Sequence, residues 1–365
     1  MKTDLNRDRP LGVLSHFKQV LPRYRIEQKD LLDWLSFMRA RAQPSEDQRA
    51  AQRYTAGSLR KIHSRWIETE NVLENRADPE FYKLSDSPTG PSMTKRMAFF
   101  SSRAAEVFEK IYADEELAPS NLIHVTCTGY VSPSAPQRLV ELRGWHGKTE
   151  VTHAYHMGCY ASIPAIRMAA GAVAISERPT DILHTEICSL HLNPADLRPD
   201  QLIVQSLFAD GHIRYRLSPP GGQNGSFEVL TIREYIIPNS QECMTWTPTE
   251  WGMEMSLSRN VPRLISEQLP TFLEQLSSSE DSPVFAIHPG GPTIIEQVQE
   301  VLGLKEDQIK HSLSVFSERG NMSSATLPHI WKSIAEDPSI PSGKQVISLA
   351  FGPGLTIFGA LFRKC

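Results

Sequence analysis

The sequence predicts an α/β fold, and three observations carry that prediction. From Asn121 onward, short apolar runs of strand length alternate with segments of helical periodicity. The cluster SPPGGQNGS at 218–226 is dense in turn formers and divides the chain into two halves, 1–225 and 226–365, each with this alternation. Reactive side chains stand beside glycine at strand-to-helix or loop-to-helix junctions in both halves.

The elements follow in order. LGVLSHFKQVL reads as a short first strand, and RIEQKDLLDWLSFMRARA as a helix with Leu31, Leu32, Trp34, Leu35 and Met38 on or near one face. Much of LRKIHSRWIETENVL, and then MAFFSSRAAEVFEKIYADEE, continue as helix. NLIHVTCTGY is a buried strand, and PSAPQRLVELRGW a turn leading into a helix. HAYHMGCYA is a loop, followed by the helix SIPAIRMAAG and the apolar strand AVAIS. DILHTEICSLHL is partly strand, RPDQLIVQSLF helical and HIRYRLS a strand. In the second half FEVLTIREYIIP and MEMSLS are strands, and PRLISEQLPTFLEQL is a helix kinked or interrupted at Pro270. VFAIHPGG is a strand entering a glycine turn, and PTIIEQVQEVLGL an amphipathic helix with Pro292 near its first turn. NMSSATLPHIWKSIAED is a helix, and KQVISLAFGPGLTIFGALF two strands around Gly352, Pro353 and Gly354.

Composition narrows the function. The content is 40% hydrophobic and 22% charged, as in ordinary soluble proteins, and the net charge of −4 argues against a general nucleic-acid binder. No apolar run has the length of a membrane span, and the N-terminal residues lack the apolar core of a signal peptide, so a cytoplasmic protein is expected. Five cysteines without CxxC spacing fit a reducing compartment and argue against structural zinc; no metal is expected.

Three junctions carry chemistry: Cys159 in HMGCYAS, His288 in AIHPGGP and Asn321 in ERGNMSSA. Helix starts hold unpaired N–H groups and partial positive charge, which favour a thiolate, and a nearby imidazole adds a Cys–His pair. Each element alone is weak, since a cysteine before a helix is most often a small buried hydrophobe.

HMGCYASIPAIRMAAG, SLFADG, HPGGPTIIEQVQ, GNMSSA and FGPGLT together resemble the type III polyketide synthases, the chalcone-synthase-like branch of the thiolase-fold condensing enzymes. The resemblance runs from the helix at 25–40 to the C-terminus. It implies a pseudo-duplicated, five-layer αβαβα thiolase fold acting as a homodimer. It also implies Cys159 as acylated nucleophile, His288 and Asn321 as its partners, and Phe208 at the border of the active-site channel. Glu186 falls where the family lines its cavity, as a base or as a hydrogen-bonded structural acid. Thr128, Tyr130, Cys188, His191 and Met255 fall at or near cavity or gate positions; a satisfied core histidine is the better reading of His191. No cofactor is implied beyond the phosphopantetheine arm, of coenzyme A or of an acyl carrier protein, that carries the substrates.

The chain also departs from the pattern. Gln52, Thr55 and Leu59 occupy the positions where coenzyme A-using members carry basic residues, while Arg53, Arg60, Lys61 and Arg65 lie out of register. A looser basic rim suits an acidic carrier protein. Ala161, Ser162, Ile163 and Pro164 stand where plant-type members have glycines, and VSPSAP lacks the methionine that reaches across the dimer. These departures resemble bacterial outliers, among them the ring-forming ketosynthases of myxopyronin and corallopyronin biosynthesis. The first expectation is therefore an enzyme joining two carrier-bound β-ketoacyl chains into an α-pyrone. The second is an iterative synthase extending a fatty acyl starter with malonyl-CoA to alkylpyrones or alkylresorcinols.

Overall fold

The structure is a computed structural model; it describes residues 9–42, 61–70, 81–83, 87, 89–196, 198–221, 226–277, 282–291 and 293–365. In chain order the first half holds β1 (Gly12–Val20), β2 (Tyr24–Glu27), α1 (Gln28–Ala42), β3 (Ser64–Ile67), α2 (Met93–Ile111), β4 (Asn121–Thr126), α3 (Ala135–Leu142), β5 (Glu150–Tyr155), α4 (Ser162–Ser176), β6 (Thr180–Ile187), α5 (Pro199–Leu207) and β7 (Asp210–Ser218). The second half holds β8 (Phe227–Ile236), β9 (Met244–Pro248), β10 (Met253–Leu257), α6 (Val261–Leu276), β11 (Val284–Ile287), α7 (Ile294–Leu302), α8 (Glu306–Arg319), α9 (Thr326–Glu336), β12 (Gln345–Gly352) and β13 (Thr356–Lys364).

Nine strands hydrogen-bond in the order β11-β12-β13-β8-β1-β7-β6-β4-β5. The pairings repeat across the centre. β4 and β6 are parallel, then β6–β7 and β7–β1 antiparallel; β11 and β12 are parallel, then β12–β13 and β13–β8 antiparallel. β1 and β8 join the two sets through Gly12–Val229, Val13–Glu228 and Leu14–Phe227.

The strand period of two builds the layers. On β12, Val346 and Ala350 face one core with α4 and α9, while Ile347, Leu349 and Phe351 face another with α6, α7 and α8. On β6, Ile182 faces the first of these cores, while Leu183 and Ile187 pack under α2 and α3. The order is thus helix, sheet, helix, sheet, helix, with α4 and α9 in the middle. Small and branched residues in these helices and just before them, Ala161, Ala165, Ala169, Ala325, Leu327 and Ile330, pack in the core between the sheet layers.

Five expectations are corrected. AVAIS is the last part of α4, because a short apolar run has no periodicity that separates buried helix from buried strand. The first three residues of the expected loop HAYHMGCYA, His153–Tyr155, are the end of β5. Residues 64–67 form β3, paired with β2 from Tyr24–Ile67 to Glu27–Ser64, not helix. The GNMSSA segment enters α9 through a 3-10 turn at Ser323–Ala325. Pro270 lies inside an uninterrupted α6. Pro292 lies outside the described residues.

Candidate active site

Cys159 sits in the turn between β5 and α4. Gly158 precedes it at φ +85°, and a Cβ there would lie 2.5 Å from Pro353 Cδ, so only glycine fits. Gly352 has the same relation to Tyr160, whose ring would meet its Cβ at 2.5 Å. The FGPG loop between β12 and β13 therefore lies directly on the nucleophile turn. From the other side, Gly158 N–H donates to Cys127 Sγ at 3.0 Å.

Asn321 lies between α8 and α9. Its N–H donates to Leu207 O (3.1 Å) and its carbonyl accepts from Ala209 N–H (2.8 Å), a short parallel bridge that also fixes Phe208. Asn321 Oδ1 accepts from Ser323 N–H at 2.9 Å. The carboxamide stands close enough to the Cys159 thiol to lower its pKa, and Ser323 Oγ is 3.9 Å from Cys159 Sγ. His288 follows β11, and its N–H donates to Leu349 O on β12 at 2.9 Å. His288 and Asn321 are fully buried, yet among the described residues neither imidazole nitrogen of His288 nor Asn321 Nδ2 has a hydrogen-bond partner.

Burial governs the electrostatics. The Cys159 thiol is pushed up to about 12, chiefly by desolvation, with Ser323 and Asn321 acting against it and Glu186 acting with it. Burial pushes His288 down to about 3. With these shifts the resting thiol and the resting imidazole are each neutral at neutral pH.

The cavity at the thiol is lined by Cys127, Thr128, Gly158, Cys159, Cys188, Phe208, Trp246, Met255, Ser323 and Pro353, with room for about one water. Trp246, on β9, forms one wall of it. Its indole N–H donates to Cys127 O at 2.7 Å and its ring meets His191 edge-on at 5.8 Å. The β9–β10 hairpin that carries it had no assignment from the sequence beyond MEMSLS. A second cavity of about 440 Å³ lies beside Gly290 and Gly291, lined also by Ile203, Leu257, Arg259, Val261 and Ile294.

The other expected residues divide. Thr128, Cys188, Phe208 and Met255 line the cavity. Cys188 does so from a 3-10 turn, because β6 ends at Ile187. Tyr130 and His191 are not among the lining residues. Tyr130 donates to Cys127 O at 3.1 Å. His191 donates from Nε2 to Thr128 O (2.8 Å) and accepts at Nδ1 from Met253 N–H (3.1 Å), a satisfied histidine. Glu186 is fully buried; Cys127 N–H (3.0 Å), Thr128 Oγ1 (2.8 Å) and Ser324 Oγ donate to its carboxyl. Desolvation is the leading cause of its raised pKa.

Arg65 corrects the reading of the basic rim. It is fully buried and donates to the carbonyls of Phe208 and Ser206 and to Gln28 Oε1, behind the cavity rather than on the surface. Lys61 is partly exposed and pairs with Glu296 on α7. Arg53 and Arg60 lie outside the described residues.

Residues 228–365 match the family of chalcone and stilbene synthases, C-terminal domain. A probable polyketide synthase 1 of Dictyostelium discoideum is 30% identical over 258 residues, 67% of this chain but 8% of that one. This chain thus spans about 8% of the length of that curated relative. The solved C-terminal type III polyketide synthase domain of a type I/III hybrid from Dictyostelium superposes with a TM-score of 0.82 at 25% identity, over 98% of this chain and 99% of that one. A polyketide synthase of the brown alga Ectocarpus siliculosus gives a TM-score of 0.84 at 22% identity, over 98% of both chains. The tetrahydroxynaphthalene synthase of Streptomyces coelicolor gives 0.80 at 22%, over 97% and 99%. The fold is that of the chalcone-synthase-like type III polyketide synthases. It is the five-layer αβαβα thiolase arrangement expected from the motifs. Among the described residues, no helix is long and apolar enough to cross a membrane.

Proposed function

We propose that this chain is an acyltransferase that builds carbon–carbon bonds by Claisen condensation on an acyl group held by Cys159. The observation that carries the reading is a buried thiol beside a carboxamide whose donor is unused, together with a buried imidazole unpaired at both nitrogens. Buried donors without partners are rare and call for a ligand.

The steps follow from the groups. His288 takes the Cys159 proton as an acyl thioester arrives, and the thiolate attacks the thioester carbonyl. The donor thiol leaves with a proton, and the acyl group stays on sulfur. A malonyl thioester then loses CO2, and its enolate oxygen accepts from a His288 N–H and from Asn321 Nδ2. Donors aimed at such developing charge are worth about 2.7–4 kcal/mol each. The enolate carbon attacks the Cys159 thioester, forming the new bond and freeing the thiolate. The cavity beside Gly290 and Gly291 suits the arm that delivers the thioester. We assign residues 1–225 and 226–365 to the two thiolase-like halves, and read the protein as a cytoplasmic homodimer.

Of the two reactions expected from the sequence, the likeness to type III polyketide synthases favours iterative extension of an acyl starter with malonyl-CoA. Joining two carrier-bound β-ketoacyl chains needs a base, and Glu186 is the candidate. The deciding experiment presents acyl-CoA and acyl-carrier-protein donors side by side, with malonyl-CoA, and weighs enzyme and products. Acyl mass on Cys159 followed by products grown in two-carbon units is the expected result. Acyl mass mapped to Cys127 or Cys188 in place of Cys159 refutes the assignment.

A further inference from the structure

His184 and Glu186 lie two residues apart on β6, so both point into the central helical layer. His184 has no place in the chemistry above, and it is fully buried with both ring nitrogens engaged. Its Nδ1 is 2.9 Å from Ser324 Oγ, and its Nε2 is 3.1 Å from Tyr215 Oη, with the two rings stacked at 5.6 Å. Ser324 Oγ in turn donates to Glu186 Oε1.

Proton counting orients this chain. Tyr215 has one hydroxyl proton, and His184 Nε2 is a closer acceptor than Ser162 O at 3.4 Å. With Nε2 accepting, the single proton of a neutral imidazole sits on Nδ1 and is donated to Ser324 Oγ. The serine proton then has one remaining acceptor, Glu186 Oε1. Desolvation holds His184 neutral, with His124 and His329 acting in the same direction. The groups facing Glu186 are Cys127 and Tyr130 from the segment after β4, Cys159 from the turn before α4, and Cys188 from the turn after β6. Those facing His184 are His124 on β4, His329 on α9 and Tyr215 on β7.

We infer that His184 is a positioning residue for Glu186: through Ser324 it aims a hydroxyl proton at Oε1 and favours the ionised carboxylate beside the nucleophile. The inference rests, for its catalytic consequence, on reading Glu186 as a base.

The test uses the full chain and two readouts. Infrared difference spectroscopy follows the protonated-carboxyl band against pH, with Glu186→Gln assigning the band. Steady-state rates with β-ketoacyl donors, whose condensation needs a base, give the acidic limb. His184→Leu is expected to move the infrared titration upward by about one pH unit, the size of one lost hydrogen bond to an ionised group. The acidic limb moves with it, because a base with a raised pKa becomes active at higher pH. His184→Asn, which keeps an amide donor where Nδ1 lies, restores most of the shift. Ser324→Ala, which keeps the imidazole but removes the hydroxyl between it and the carboxyl, reproduces the shift. An unmoved carboxyl titration in both His184→Leu and Ser324→Ala overturns the inference. A titration that moves while the rate limb stays supports the relay and removes Glu186 as the base.

Discussion

Burial sets the reactivity of Cys159 before any partner does. A thiol with a pKa near 12 is almost wholly protonated at neutral pH. Its modification by iodoacetamide should therefore rise about tenfold per pH unit from roughly pH 7 to pH 10 without a plateau. Peptide mapping distinguishes it from Cys127 and Cys188, which share the cavity; a plateau near pH 7 would show a thiolate at rest. Asn321→Ala should leave acyl loading intact and slow condensation about a hundred- to a thousand-fold, the usual cost of removing one oxyanion donor. Single-turnover measurement separates the two steps. Trp246→Gly should enlarge the cavity and lengthen the products, read by mass spectrometry; unchanged products would move the length limit elsewhere. Cys159, His288 and Asn321 were legible as candidates because each stands at a break in regular structure with glycine within two residues. Trp246, Ser323 and Ser324 were not. A tryptophan in a hairpin and a serine in a 3-10 turn reach the thiol only through tertiary packing, which leaves no periodic mark.

At the scale of elements, β3 shows where local reading fails. Its run KIHSRWI carries the charges of a solvated helix face, yet Arg65 is turned inward, where it holds two carbonyls and a glutamine oxygen. Such an arginine satisfies acceptors supplied by α1 and by the end of α5, more than a hundred residues away in the latter case, and no local spacing records them. Arg65→Met should lower stability by about 2–4 kcal/mol, since the acceptors at Ser206 and Phe208 lose their donor. Urea unfolding checks this, and a change within 0.5 kcal/mol of zero would return Arg65 to the surface rim. The loss should also loosen Phe208 and hence the Asn321 bridge. The strands and helices after Asn121 were legible because alternation and amphipathicity agree there. AVAIS was not, because all but its last residue are apolar: Val173 is buried while Ala174 and Ile175 are exposed, so no polar face marks the helical period.

The whole molecule explains why two helix-start turns from different halves serve one cavity. α4 and α9 occupy the single layer shared by both sheets, so the turns before them open toward each other. Motif order made this arrangement legible; neither half alone predicts the meeting. The same topology leaves the sheet with unequal ends. β11 is buried along its four residues, whereas β5 ends the other side with Glu150, Thr152 and His153 exposed. An open edge strand presents unpaired N–H and C=O groups and invites another strand. A second copy across a two-fold axis, with β5 antiparallel to β5, pairs these groups on both chains at once. Because β5 leads directly into the Cys159 turn, such pairing would also brace the nucleophile. Sedimentation at micromolar concentration should therefore give a species of twice 41.0 kDa. Amides of β5 should exchange more slowly as concentration rises through the dissociation range. A monomer at micromolar concentration, or β5 amides that exchange at one rate whatever the concentration, would leave this edge to solvent and the turn to be held by contacts within one chain, among them Cys127, Pro353 and Phe358.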